Sequence, residues 1–379
     1  MKTIQAKNNQ KNPFYAHFAY VLVSLICLFT ILYYGRHILF PLLFAMLMGI
    51  LLRPVEVFFN LRLKIPRVAS IFISVFLAIL FLSSIILFIS WQIGYIAHDW
   101  DKISQNIFTH YHNIQKWIFN KFNISNSQIE HYLKNSSALT FDKGTKYLNT
   151  TITTFSEFLL NLTLIPIYTF LIMLYRKLFI NFLNKIVANK YKRNLNDILR
   201  NIKSAIQSYL LGLLTEMGIV ATLTSIGYTI AGIEYALLLG VITGLLNMIP
   251  YIGITIAAVL SIFATLTSST DLSLILSVVA VNAIVQFLDN NILVPMIVSS
   301  KVKINAIASI VGIIIGGTIA GVSGMFLAIP IIAIIKVIFD NIDSLEPWGY
   351  LIGDETDEKK SGIKIPFINK IRKRSEKVT

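Results

Sequence analysis

A single cysteine, Cys27, serves all 379 residues, so one chain has no means of building an internal disulfide framework or a thiolate metal site. Charge is scarce as well. Charged residues make up 14% of the chain against 55% hydrophobic ones, and the mean hydropathy is +0.69. A soluble core of this size cannot hide that much apolar surface, so the composition specifies an integral membrane protein. Acids are the scarcest charged group, 19 against 33 basic residues, giving a net charge of +14. The basic residues fall between apolar spans and show no aromatic-interleaved basic domain, which excludes nucleic acid as the partner and assigns them to membrane orientation. No Walker phosphate loop, nucleophile elbow, HExxH zinc site or paired-cysteine zinc site occurs. The reading is therefore a non-enzyme with no catalytic residues, no metal and no cofactor, and not a primary ATP-driven pump.

What is present is a series of long apolar runs. Uninterrupted spans are predicted at about 14 to 34, 37 to 52, 68 to 91, 152 to 175, 205 to 231 and 272 to 298, near the roughly 20 residues a bilayer requires. The first follows a lysine-bearing tail but is too long for a signal peptide, so it reads as a retained anchor. Two further stretches, 235 to 268 and 304 to 340, exceed one helix and are split at PYIG and at GTIAGVSG. Each reads as two tight spans or a re-entrant hairpin, because interrupted backbone in hydrocarbon survives only against protein or a water-filled cavity. The fold class is thus all-α, a polytopic membrane protein with about eight transmembrane segments, broken or re-entrant helices and a small extracytoplasmic helical insertion.

The division along the chain is a basic tail (1–13), N-terminal transmembrane segments (14–91), the insertion (92–150), a C-terminal transmembrane region (151–340) with a loop at 176–203, and a second basic tail (341–379). That loop carries eight basic residues and one acid, and with Arg53, Arg62, Lys64, Arg67, Lys301 and Lys303 it reads as cytoplasmic. Both termini are then cytoplasmic, and each split stretch starts and finishes on one side. In the insertion, Trp100, Ile103, Ile107, Tyr111, Ile114 and Trp117 recur every three or four residues, an amphipathic helix pattern that suits packing in a helical cap or cover over a pore mouth. Its histidines, His98, His110, His112 and His131, lack a zinc-site spacing.

Polar residues inside apolar spans carry the functional signal, since each ionisable one costs about 2.5 to 3.5 kcal/mol unless paired or wet. Asn282, Gln286 and Asp289 lie at i, i+4 and i+7 on one helical face, with Asn290 and Asn291 beside them and Pro295 beyond. This stripe can hydrate an ion, hold a polar solute or relay a proton, or it can glue helices by hydrogen bonding. Glu216 sits halfway along its span, on the edge of a stripe of Ser204, Ser208, Gly212, Thr215 and Thr222. Asn247, Pro250, Tyr251 and Gly253 mark the first break. Lys336 and Asp340 are spaced to pair at i, i+4, and the pairs Gly240/Gly244, Gly312/Gly316 and Gly317/Gly321 predict close helix contact.

Three segments together resemble the autoinducer-2 exporter family of bacterial membrane permeases: Ile38 to Phe59 with Pro41 and Pro54, Leu237 to Ile256 with PYIG, and Gln286 to Lys336 with its DNN-to-proline element. The resemblance implies an ATP-independent permease of about eight spans in the bacterial cytoplasmic (inner) membrane, assembled as a homo-oligomer, a pentamer in that family. It also implies export of a small polar solute or exchange of a monovalent cation for protons. The family's broken stretch maps onto Pro250, Tyr251 and Gly253, and its polar stretch onto Gln286, Asp289, Asn290 and Pro295. Glu216 rests on the residue reading alone. The expected mechanism is alternating access, in which broken helices around Asn247 to Gly253 and Gln286 to Pro295 line a midplane site with Asp289 or Glu216 as the coupling acid, against a channel-like facilitator or a scaffold acting through the 92–150 insertion.

Overall fold

The computed structural model describes residues 14–98, 102–103, 105–106, 108–109, 112–113, 116, 163–189, 192–249, 253–298 and 304–354. Pro250, Tyr251, Lys301, Lys303, His110, His131, the terminal basic tails (1–13 and 355–379) and most of the insertion lie outside the described residues.

All the principal elements among the described residues are helical. Helix α1 (Phe14–Tyr34) meets α2 (Arg36–Leu51) at a bend of 86° over Gly35. A short α3 (Arg53–Val57), opened by Pro54, runs into a π-helical turn at Phe58–Arg62 before α4 (Arg67–His98). Helix α5 covers Thr163–Ile186, and α6 (Lys192–Ile230) is the longest at 39 residues. Then come α7 (Ala236–Asn247), α8 (Gly253–Ser268), α9 (Leu272–Leu288) continued by a π-helix at Asp289–Val298, α10 (Ala306–Asp340) and α11 (Glu346–Ile352). Five of the described helical stretches have the length and apolar composition to cross a membrane, or six when the bent α1–α2 pair counts as one; one of the five, α10, is two helices joined at a kink. The molecule is a polytopic helical membrane protein.

Both split stretches are hairpins. Helix α7, with 12 residues, is about 18 Å long and cannot cross a core of about 30 Å. It stops at Asn247, and α8 restarts at Gly253 so close by that a Cβ there would lie 1.7 Å from the Leu246 carbonyl oxygen. Nearer the base of this hairpin, Leu239 belongs to the same apolar cluster as Ile262 and Ala264. Helix α10 leaves helical geometry at Ala320 and Gly321, the latter with φ +59°, a conformation glycine adopts without a Cβ clash. Its two halves fold back on each other. Gly312 faces Ile332 and Ala328, while Gly316 and Gly324 meet backbone to backbone. Of the glycines that the sequence marked for close contact, Gly312, Gly316 and Gly317 thus meet the facing arm of their own hairpin, whereas Gly321 makes the turn and a Cβ there would meet nothing within 4 Å. Gly240 and Gly244 press likewise onto α6 at Ser225, Ala221 and Met217.

One expectation is corrected here. Gln286 to Pro295 is not a broken span, because α9 continues without interruption as the π-helix, whose i→i+5 bonding absorbs Pro295 and the three polar residues before it. Ser273–Ile297 is accordingly one span of 25 residues, about 37 Å long. A crossing helix between them puts the bases of the two hairpins on opposite membrane faces. Their tips point toward each other, and Met248 of the first shares an apolar cluster with Ile319 and Ala320 of the second, together with Tyr209, Leu213 and Phe40.

Candidate functional site

Three elements converge on two buried acids. Helix α6 runs antiparallel to α9: Gly227 abuts Val281 at one end and Gly212 abuts the Ile297 carbonyl at the other. Helix α7 descends along α6 on its small face, Gly240 against Ser225 and Gly244 against Met217, which carries its last residue, Asn247, to the level of Glu216. The absence of Cβ atoms is what permits this approach; an alanine at Gly244 would sit 2.5 Å from a backbone oxygen.

At the meeting point Glu216 is 5% exposed, Asp289 2% and Asn247 7%. The Asn247 amide donates to Glu216 Oε1 at 3.1 Å and to Asp289 Oδ2 at 3.4 Å, so one NH₂ group bridges two carboxyls. The carboxyls also stand within hydrogen-bonding reach of each other. Asp289 Oδ1 and the side-chain Oε1 of Gln286 are buried and accept no hydrogen bond among the described residues. Asp289 is the junction at which α9 becomes π-helical, and such transitions recur at functional sites because they re-aim side chains without ending the helix.

The residues singled out from sequence separate into groups. Glu216, Asn247 and Asp289 come together, with Gln286 one turn before Asp289 on the same face. Asn282 lies farther along that face and makes a different contact, donating to the Tyr228 hydroxyl at 2.6 Å and to the Val278 carbonyl at 2.9 Å. Asn290 is exposed, Asn291 bonds back to Phe287, and Pro295 is exposed within a continuous helix rather than at a break. The π-helix turns these three away from the acids. Gly253 closes the hairpin tip beside Leu246 and Asn247.

Sequence reading missed Tyr228 and Thr224, both fully buried on α6. With Glu216 and Val220 they form a buried ridge of residues four apart that winds along α6, whereas Thr215 and Thr222 are exposed and bond their own helix carbonyls. Tyr228 also hydrogen-bonds Ser261 of α8, and the Thr224 hydroxyl has no partner among the described residues. Beyond them, at the base of the first hairpin, lies an open cavity of about 700 Å³ lined by Lys102, Asn106, Glu234 and Ser268 to Thr270. Part of the insertion docks there through the ion pair Lys102–Glu234 at 2.8 Å and the bond from Asn106 to the Thr267 carbonyl at 3.0 Å. Outside the membrane span, Asp271 caps α9 by accepting from the Ser273 N–H and hydroxyl, which hold its carboxyl below the usual range. No group of three or more metal-ligating side chains forms among the described residues.

Comparison with known proteins agrees with this architecture. Residues 22–344 match the AI-2E family transporter profile. The chain is 28% identical over 316 residues to "Putative transport protein YueF" of Bacillus subtilis, covering 80% of this chain and 84% of that one. It is 21% identical over 323 residues to "Putative transport protein YhhT" of Escherichia coli, covering 85% and 89%. A shorter match, 26% identical over 178 residues, joins it to "Putative permease PerM" of Escherichia coli, at 47% and 50%. The chain belongs to the AI-2E transporter family.

Proposed function

We propose that the protein is a secondary transporter of the bacterial cytoplasmic membrane that exchanges a monovalent cation for protons at the Glu216–Asn247–Asp289 site. The observation that carries this reading is an excess of acceptors. Two carboxyls meet in the apolar interior, and among the described residues the Asn247 amide is the one side-chain donor bonded to them, while Asp289 Oδ1 and, one turn before it, Gln286 Oε1 are buried without a partner. Two negative charges in contact in a low-dielectric site require a positive partner, which a proton or a small cation provides. Because either can fill that role, the two compete, and competition for one site is the elementary step of antiport.

The two hairpins supply the conformational element. Helices broken at midplane, entering from opposite faces, occur in transporters that alternate access around a fixed site. In this reading the hairpin ending at Asn247 moves against α6 and α9, which makes and breaks the amide bridge as the site changes sides. Basic residues at 53–67 and 176–203 support, by the positive-inside rule, a reading in which both termini are cytoplasmic. Assembly as a homo-oligomer, a pentamer by family resemblance, is part of the same proposal. A second reading, export of a small polar solute, is favoured by the cavity at Lys102, Glu234 and Ser268 to Thr270, whose lining offers both charges and several hydroxyls.

The test is flux in proteoliposomes holding the purified full chain and an internal pH dye, with sodium, lithium and proton gradients imposed separately. The reading expects cation-driven proton movement in the native protein and its loss in Asp289→Asn and Glu216→Gln at equal reconstitution. Cation-driven movement that survives both substitutions would remove the acids from the mechanism. Indifference of the native protein to every cation would leave the solute reading in its place.

A further inference from the structure

A second charge cluster lies apart from the carboxyl site, where α3, α4 and α5 meet. Leu52, Ile71, Val75 and Met173, with Phe170 and Leu174 against them, pack these elements together. On that platform Glu56 is buried, 3% exposed, and is ion-paired to Arg53 one turn before it on α3. Arg67, at the start of α4, brings Nε to 3.9 Å from the other carboxylate oxygen of Glu56. The same guanidinium donates to the carbonyls of Met173 at 3.0 Å and Leu174 at 3.3 Å on α5. Arg176, half-buried one turn on, lies within electrostatic range of Arg53, Glu56 and Arg67. It has no ion pair of its own among the described residues.

The sum is three guanidinium groups around one carboxylate, a surplus of two positive charges that are partly withdrawn from water. Glu56 has used both oxygens on Arg53 and Arg67, so nothing described neutralises Arg176. The other charged groups nearby in sequence, Arg62 and Lys64 on the connecting turn and Lys177 on α5, are also basic. Like charges at this range repel, and the arrangement is favourable when an anion joins it. A planar guanidinium fork matches phosphate oxygens in a bidentate manner. The place in the fold narrows the ligand. The cluster sits at the start of the apolar spanning helix Arg67–Gln92 and against the Met173–Arg176 turn within the spanning helix Thr163–Ile186, and is flanked by the exposed apolar side chains Phe58, Leu61, Leu63, Phe72, Leu171 and Tyr175. Basic pockets of this kind between spanning helices suit lipid headgroups.

We propose that Arg53, Arg67 and Arg176, organised by Glu56, form a binding site for a phosphate-bearing anion, presented there by the headgroup of an acidic phospholipid whose acyl chains lie along the flanking apolar surface. Free inorganic phosphate shares the headgroup chemistry, and the experiment separates the two. Full-length native protein, Arg176→Gln and the control Lys177→Gln are purified and reconstituted with phosphatidylcholine alone or with added phosphatidylglycerol. Thermal midpoints and lipid retained per subunit by native mass spectrometry are then compared. Arg176 is chosen because it shows no hydrogen bond or ion pair among the described residues, so its loss leaves the Glu56 pairs intact. The expected result is a phosphatidylglycerol-dependent rise in midpoint for the native protein and Lys177→Gln. Arg176→Gln matches them in phosphatidylcholine, shows no such rise, and retains at least threefold less acidic lipid. An equal rise in Arg176→Gln overturns the site. Should Arg176→Gln fail to fold, native protein titrated with phosphatidylglycerol decides, and no rise over phosphatidylcholine overturns it. Millimolar inorganic phosphate that reproduces the full effect in phosphatidylcholine overturns the lipid assignment.

Discussion

Replacing Gly324 with alanine should open the second hairpin. A Cβ built at this position lies 1.9 Å from the Gly316 carbonyl oxygen, 2.6 Å from its carbon and 3.2 Å from its Cα, all backbone atoms that no rotamer change can move away. Ordinary contact begins near 3.4 Å, so the arms must separate by about 1.5 Å, and overpacking of this kind costs roughly 1 to 3 kcal/mol. Alanine also recovers up to about 1 kcal/mol of helix propensity, which sets the net loss at about 0 to 2 kcal/mol. The proper control is Gly218→Ala on α6, where a Cβ meets nothing within 4 Å and only the propensity gain applies. Thermal midpoints by size-exclusion in one detergent should therefore rank Gly218→Ala at or above native and Gly324→Ala below it. Transport should fall in the second alone, because Ile319 and Ala320 at the hairpin tip share a packed cluster with Met248, next to the site. Equal midpoints for the two alanine variants would refute the backbone-to-backbone packing of this hairpin.

Other consequences can be checked separately. Asn247→Ala removes the amide that bridges the two acids; with hydrogen bonds to charged groups worth about 1.5 to 3 kcal/mol each, exchange should drop at least tenfold at normal expression. Tyr228→Phe deletes the hydroxyl that accepts from Asn282 and should lower stability by about 1 kcal/mol while proton-coupled flux survives, measured by midpoint and dye response together. The Lys102–Glu234 pair is largely exposed, so Glu234→Lys should cost no more than about 1 kcal/mol, and the charge swap with Lys102→Glu should restore most of it at low salt. Asp271→Ala should destabilise α9 at neutral pH. The difference from native should persist above the ordinary carboxylate range and vanish as pH falls through the lowered folded-state pKa, since the folded carboxylate is the favoured form.

Much of this architecture was legible in the sequence because the membrane enforces simple rules. Length and hydropathy marked the spans, and glycine spacing marked the close contacts, since Gly240, Gly244, Gly312 and Gly316 can touch backbone only where Cβ is absent. The Lys336–Asp340 pair forms as its spacing required, at 2.6 Å. Asn282, Gln286 and Asp289 do share a helix face, but periodicity could not say that Asn282 would turn to Tyr228, 54 residues away, while Asp289 meets Asn247. The break read at Gln286 to Pro295 was absorbed by a π-helix, whose i→i+5 bonding has no sequence signature distinct from an α-helix carrying a proline. Thr224 was passed over because a threonine hydroxyl on a helix ordinarily bonds its own backbone, and Tyr228 because an aromatic in an apolar span reads as core. Only the antiparallel neighbours show that these two face inward.

The most direct test of the carboxyl site is ligand-linked proton release from purified, weakly buffered protein in detergent, followed with a pH dye as sodium or lithium is added. A shared site for proton and cation predicts about one proton released per subunit on saturation, with no release from Asp289→Asn or Glu216→Gln. Cation binding that proceeds with no proton released, or release that is unchanged in both variants, would contradict the account.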